Sequence, residues 1–265
     1  MSTSSDFSSQ TRGDVNLFDG LRVAITGGTS GLGLALVREL LGRGARVAFV
    51  ARTRERVEQV ARENAGAHGI AGDVSSKEDI YPVALQVTGE LGGLDVLVNN
   101  ASDLGPVPLA MLSDTECEDL ERAFATNVLG PFRLTKALMG ALAASAREGR
   151  GAVVLNISSD AAVNAYPGWG AYGASKAALH HLSRVWGEEH AGEGVRFLSL
   201  DPGDMDTPMH AAAVPGADTS TLKRPEQAAR ELISAVAAAL PRRDAHDAPD
   251  PSALASTQEG EGANA

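Results

Sequence analysis

Residues 22–36 read Arg22-Val23-Ala24-Ile25-Thr26-Gly27-Gly28-Thr29-Ser30-Gly31-Leu32-Gly33-Leu34-Ala35-Leu36. An apolar run of strand length enters a glycine-rich turn. The turn opens onto an apolar helical pattern that continues to Leu41 and meets stop signals at Gly42 and Gly44. Gly27, Gly31 and Gly33 admit positive φ and close approach of the backbone to a neighbour. A helix beginning at such a turn directs free N–H groups and its positive dipole end outward. Strand, glycine turn and helix in this order suit a dinucleotide pyrophosphate. The spacing, Gly27-x-x-x-Gly31-x-Gly33, also fits a plain tight turn between a core strand and a helix.

Working outward, strand-length apolar runs recur at 46–50, 68–71, 96–99, 153–157 and 196–200. Helical patterns fill the intervals at 54–64, 76–91, 117–146 and 172–189, and another follows at 225–240. Pro82 falls in the first turns of one pattern, and Gly130-Pro131 marks a bend in another. Strands alternating with helices predict an α/β fold: a Rossmann-type, doubly wound parallel sheet in a single domain. The domain spans 17–240. Residues 1–16, rich in Ser, Thr and Asp, read as a flexible arm, and 241–265, rich in Pro, Ala and acidic residues, as a disordered tail.

The chain has 265 residues, 43% of them hydrophobic, enough for a sizeable core. A formal net charge of −11 argues against a nucleic-acid partner, which needs clustered Lys and Arg. The single cysteine, Cys117, excludes an internal disulfide and a multi-cysteine metal site. No apolar leader and no bilayer-length run is visible, so the expectation is a cytoplasmic protein with no membrane partner and no metal.

A second motif supplies chemistry. Tyr172 and Lys176 stand four residues apart, on one face of a helix, and Ser159 precedes them at a strand end. A free phenol, with a pKa of roughly 10, is a poor base at neutral pH. An adjacent ammonium favours the phenolate, so Lys176 is expected to lower the Tyr172 pKa. Each residue also has a plainer reading: Tyr172 as a half-buried core side chain, Lys176 as its solvated partner, and Ser159 as a turn former. Asn127, inside an apolar helix, is a buried polar group that needs partners. After the second strand run comes Ala51-Arg52 rather than an acidic residue. Arg52 suits a phosphate fork or, alternatively, a solvated helix start. Asp73 likewise reads as a ligand group or as a helix N-cap.

These motifs, in this order, resemble the classical short-chain dehydrogenase/reductase family over roughly 18–240. The resemblance rests on Thr26-Gly27-x-x-x-Gly31-x-Gly33, Asp73-Val74, Asn99-Asn100-Ala101, Asn127, Ser159, Tyr172-x-x-x-Lys176 and Pro202-Gly203 with Thr207. It implies an oxidoreductase passing hydride between a nicotinamide and a carbonyl or alcohol substrate. Tyr172 would be the general acid/base, Ser159 would polarise the carbonyl, and Lys176 would bind the ribose. Asn127 would support the helix and a water leading to Lys176. The cofactor would lie along Gly27, Thr29, Ser30, Gly31, Leu32, Gly33, Arg52, Asp73, Val74, Asn100, Ala101, Tyr172, Lys176, Pro202, Gly203 and Thr207. Arg52 favours NADP(H), with NAD(H) as the other possibility. Ser102 stands where the family usually has glycine.

The resemblance also implies strand order 3-2-1-4-5-6. The family's usual seventh strand has no counterpart in the sequence, so six strands and a homodimer, rather than a tetramer, are expected. The stretch 204–222 reads as a mobile lid over the substrate, with Met205 and Met209 as adaptable contacts. His180, His181 and His190 form no metal set, and Trp186 reads as core or interface. A non-catalytic NADP(H) sensor of the same fold is the alternative function.

Overall fold

The computed structural model describes residues 17–241. The expected arm and all but the first residue of the expected tail lie outside the described residues. Six strands are present among them: β1 (Arg22–Thr26), β2 (Arg46–Ala51), β3 (Ala67–Ala71), β4 (Val96–Asn99), β5 (Ala152–Ile157) and β6 (Val195–Leu200). They form one parallel sheet in the order β3-β2-β1-β4-β5-β6, as the resemblance implies.

The helices between them are α1 (Gly31–Gly42), α2 (Arg54–Glu63), α3 (Lys77–Leu91), α4 (Cys117–Phe124), α5 (Gly130–Arg147) and α6 (Gly170–Glu189); α7 (Pro208–Ala213) and α8 (Pro225–Ala239) follow β6. Side chains alternate across each strand. Val23, Ile25, Val47, Phe49, Val153 and Leu155 enter a core with α1, α2 and α8. Ala24, Ala48, Val50, Leu97 and Val154 enter a second core with α3 and α5. Strands covered on both faces have no polar side, and this is why they appear in the sequence as unbroken apolar runs.

The structure gives detail to two sequence expectations. The 117–146 pattern is one continuous helical run distorted near Gly130-Pro131, as expected: a π-helical turn, Ala125–Leu129, lies between α4 and α5 just ahead of that pair. Pro131 has no N–H to return to the Asn127 carbonyl, and the widened turn absorbs the defect. The 204–222 stretch, expected as a lid, has secondary structure of its own. It contains α7, whose N-cap Thr207 accepts from the His210 N–H. Both ends of its first segment are tied to Lys223: Asp206 N–H donates to the Lys223 carbonyl (3.0 Å), and Lys223 N–H donates to the Asp204 carbonyl (2.9 Å).

Strand order reverses between β1 and β4, because the chain winds outward to β3 and then returns to build β4, β5 and β6 on the other side. A crevice opens at the carboxyl ends of the strands at that point. The opposite end is closed by charge. Asp95, fully buried, receives Arg22 Nη2 at 2.6 Å, Arg150 Nη2 at 2.9 Å and the Ser145 hydroxyl. Burial alone would raise the Asp95 pKa, but the hydrogen bonds from Arg150, Arg22 and Ser145 outweigh it and hold the carboxyl well below the usual range.

Candidate active site

The crevice is a cleft of about 710 Å³. All the expected site residues except Asn127 line it, together with Thr126, Asp160, Tyr166, Trp169, Asp201 and Met209.

One half is built from the glycine turn. Gly27 and Gly31 have φ of 72° and 49°. A Cβ on Gly33 would strike the Gly27 carbonyl, and one on Gly27 would meet Asn100 at 2.9 Å and Ala101 at 3.0 Å. The turn is therefore bare backbone pressed against β4, and only glycine permits it. Thr26 ties the two strands: its hydroxyl oxygen accepts from the N–H groups of Asn100 and Ala101, each at 3.0 Å. Asn100 Nδ2 returns a bond to the Thr26 carbonyl at 2.9 Å. Ser30 sits at the N-cap of α1 without using its hydroxyl as a cap, so that group is free to face the cleft. Free N–H groups, a bare turn and a helix start together fit a pyrophosphate.

Arg52 is exposed on the cleft wall and has no carboxylate partner among the described residues. Arg56, which the sequence reading passed over, reaches the same turn: its Nη2 donates to the Thr29 carbonyl at 3.5 Å. Asp73 lines the cleft with Val74, and its carboxylate accepts from Ser75 N–H at 2.9 Å. The N-cap of α3 is Ser76, not Asp73. Pro202 and Gly203 form the far wall, where Asp201 accepts from the Gly203 N–H at 2.8 Å. An Asp-Pro-Gly turn was the available signal for Asp201. Thr207 leans over the glycine turn, so that a Cβ on Gly31 would lie 3.2 Å from its methyl.

The other half holds the reacting groups. Ser159 follows β5, and Tyr172 and Lys176 project from the first turns of α6. The Tyr172 hydroxyl is in hydrogen-bond reach of Ser159 and Ser102. Lys176 is 2% exposed. Its ammonium donates to the Ile157 carbonyl at 2.8 Å and lies 5.5 Å from the Tyr172 ring centre. Burial pushes Lys176 down to about 8. Burial likewise pushes Tyr172 up to about 12; hydrogen bonding with Ser159 and Ser102 opposes this, and the charges of Asp201 and Asp160 add to it. The expectation of a lowered Tyr172 pKa is therefore not met, because burial of the phenol is the largest influence on it. At neutral pH Tyr172 is a phenol holding its proton.

Asn127 stands behind the cleft, fully buried. Its Nδ2 donates to the Asp103 carbonyl (2.7 Å) and the Ser175 hydroxyl (2.8 Å). Its Oδ1 accepts from Asp103 N–H (2.8 Å) and the Ser102 hydroxyl (3.1 Å). Every side-chain position is used. Asn127 locks the loop after β4 to α6, since Ser175 in turn donates to the Tyr172 carbonyl at 2.7 Å. Ser102, in the usual glycine position, thus bonds to Asn127 and stands near the Tyr172 hydroxyl.

The family model described as short chain dehydrogenase matches residues 22–218. The chain belongs to the short chain dehydrogenase family. A 2-(R)-hydroxypropyl-CoM dehydrogenase of Xanthobacter autotrophicus is 35% identical over 194 residues, covering 71% of this chain and 76% of that protein. Among solved structures, a 3-ketoacyl-(acyl-carrier-protein) reductase from Brucella melitensis complexed with NADH gives a TM-score of 0.74 at 27% identity, covering 83% of this chain and 90% of that one. A short chain dehydrogenase from Shigella flexneri complexed with NADP gives 0.73 at 26% identity, covering 79% and 88%. This short chain dehydrogenase is an NAD(P)-dependent oxidoreductase acting on CH–OH and C=O groups. Among its described residues, no helix is long and apolar enough to cross a membrane, and no cluster of His, Cys, Asp and Glu could hold a metal ion.

Proposed function

We propose that this protein reduces a small carbonyl substrate with NADPH, using Tyr172 as general acid and, in reverse, as general base. The observation that supports this reading is that Ser159, Tyr172 and Lys176 line the same cleft as the glycine turn. The nicotinamide supplies the hydride. Tyr172, protonated at neutral pH, gives its proton to the carbonyl oxygen as negative charge develops there. Ser159 donates a hydrogen bond to the same oxygen. Lys176, held by the Ile157 carbonyl, is placed to return positive charge to Tyr172 after the proton has left. Asn127 fixes the helix that carries both. NADPH is favoured over NADH because Arg52 has no carboxylate partner among the described residues and Arg56 stands on the neighbouring turn, where a 2′-phosphate would meet both.

We also propose a homodimer through the exposed apolar residues of the π turn, α5 and α6, namely Leu129, Phe132 and Val185. Trp186, packed between Phe132 and Phe197, backs that face.

Titration by cofactor fluorescence tests the reading. NADPH should bind at least about tenfold more tightly than NADH, and Arg52→Ala should erase the difference, a change on the order of 1.4 kcal/mol. Tyr172→Phe should keep NADPH affinity and lose about 10²- to 10⁴-fold in turnover. Undiminished turnover by Tyr172→Phe overturns the acid/base assignment, and NADH preference in the wild type overturns the cofactor assignment. NADPH binding with no turnover of any carbonyl or alcohol would leave the sensor reading.

A further inference from the structure

The mechanism leaves Asp160 without a role, although it adjoins the reacting serine. It is exposed on the cleft wall at the start of a short 3₁₀ turn, Asp160–Ala162. Its carboxylate is held on one side by the Tyr166 hydroxyl, which donates to Oδ2 at 2.7 Å. On the other side the Ser159 hydroxyl donates to Oδ1 at 3.1 Å. The Ser159 oxygen also accepts from Ala161 N–H at 3.2 Å. A serine has one proton to give. With that proton directed at Asp160, it is not available to a substrate carbonyl.

The surroundings indicate what could take Asp160 Oδ1 instead. Asp201 and Asp204 face the same cleft with no cationic partner among the described residues. Arg122 is already engaged, at 2.7 Å with Asp119 and 3.4 Å with Asp103. Around Asp160, unlike at the β2 end of the cleft where Arg52 stands, the wall is therefore short of free positive charge and rich in acceptors. A carboxylate on the substrate would meet like charge there, whereas a hydroxyl or ammonium would meet a fixed acceptor.

We infer that Asp160 determines specificity by accepting a hydrogen bond from a hydroxyl or ammonium group beside the reacting carbonyl, freeing the Ser159 hydroxyl to bond the carbonyl oxygen. Ser159 Oγ and Asp160 Oδ1 lie 3.1 Å apart, so the group read by Asp160 sits on a carbon next to, or one removed from, the reacting one. Tyr166 keeps the carboxylate in place. Its own hydroxyl is held protonated, foremost by that bond to Asp160, so it remains a donor across the neutral range. The inference rests on the proposed carbonyl reduction and specifies its substrate class.

The test uses four ketones of equal length: a plain methyl ketone, its α-hydroxy and α-amino analogues, and the corresponding α-keto acid. The full-length wild type should give kcat/KM for the hydroxy and amino ketones at least about tenfold above the plain ketone, with the keto acid lowest. Asp160→Ala should bring the hydroxy-to-plain ratio near one. Asp160→Asn keeps an acceptor oxygen without the charge, so it should reduce the amino-ketone preference more than the hydroxy-ketone preference. Tyr166→Phe should weaken both preferences by less than Asp160→Ala does. NADPH affinity, read by fluorescence, serves as the folding control for each variant. Ratios unchanged in Asp160→Ala, or a keto acid as the best substrate, overturn the inference while carbonyl reduction stands. Turnover of none of the four by a wild type that binds NADPH overturns both.

Discussion

Lys176 and Tyr172 are an uneasy pair before any cofactor arrives. A lysine at 2% exposure with one carbonyl partner is costly to keep charged, and its pKa near 8 expresses that cost. Its unfolded value is 10.5. Between those values the unfolded chain binds more protons, so the Lys176 contribution to stability rises as pH rises from 8 toward 10.5. Tyr172 acts in the opposite sense. Its folded value is about 12 against 10.0, so the folded protein binds more protons in that window, and its contribution falls as pH rises through it. Denaturant unfolding of the cofactor-free protein at constant ionic strength, compared with Lys176→Met and Tyr172→Phe, should resolve both. The wild type should gain on Lys176→Met between pH 8 and 10 with a slope of at most about 1.4 kcal/mol per pH unit, and lose against Tyr172→Phe above pH 10. Parallel curves would mean that Lys176 is not buried as a charge.

The glycine turn separates glycines required by contact from those that are not. Gly33 cannot accept a Cβ without moving the Gly27 carbonyl, whereas Gly42, at the other end of α1, has open space around it. Gly33→Ala should destabilise by about 1–3 kcal/mol and raise the NADPH dissociation constant more than tenfold. Gly42→Ala should be neutral or stabilise by up to ~1 kcal/mol, with affinity unchanged. Melting curves and the fluorescence titration check both. This turn was legible in the sequence because its requirement is local: strand, bare backbone and helix follow one another in the chain. The strand order was legible through the resemblance, and the apolar runs of β1, β4 and β5 through their burial on both faces. Arg56 and Ser175 were not. Their partners, the Thr29 carbonyl and Asn127, lie 27 and 48 residues away, and only the folded chain unites them. The distortion near Gly130-Pro131 was legible, but its π form at Ala125–Leu129 was not, because a proline announces a defect without saying how the preceding turn absorbs it. The Tyr172 shift was misjudged because spacing reveals the lysine neighbour but not the depth to which the phenol is buried.

At the end of the sheet away from the cleft, the buried Asp95 gathers two arginines. Removing the Asp95 charge would leave Arg22 and Arg150 without their shared partner, and Asp95→Asn should cost on the order of 3 kcal/mol, read as a lower midpoint in urea. Because the folded Asp95 pKa is depressed, its contribution is present above the unfolded value and lost as pH falls through the acid range. The gap between wild type and Asp95→Asn should therefore narrow below about pH 4. An unchanged gap would mean that the network is held by packing rather than by charge. Between that cluster and the reacting groups run strands of four to six residues, which set the two ends roughly 13–20 Å apart. Substitutions at that distance, sharing no partner, combine without interfering. The chain therefore has two independently adjustable poles. Reinforcing the Asp95 end leaves recognition alone, and rewriting the loops around Asp160 draws on a reserve of stability held at the far end of the same strands.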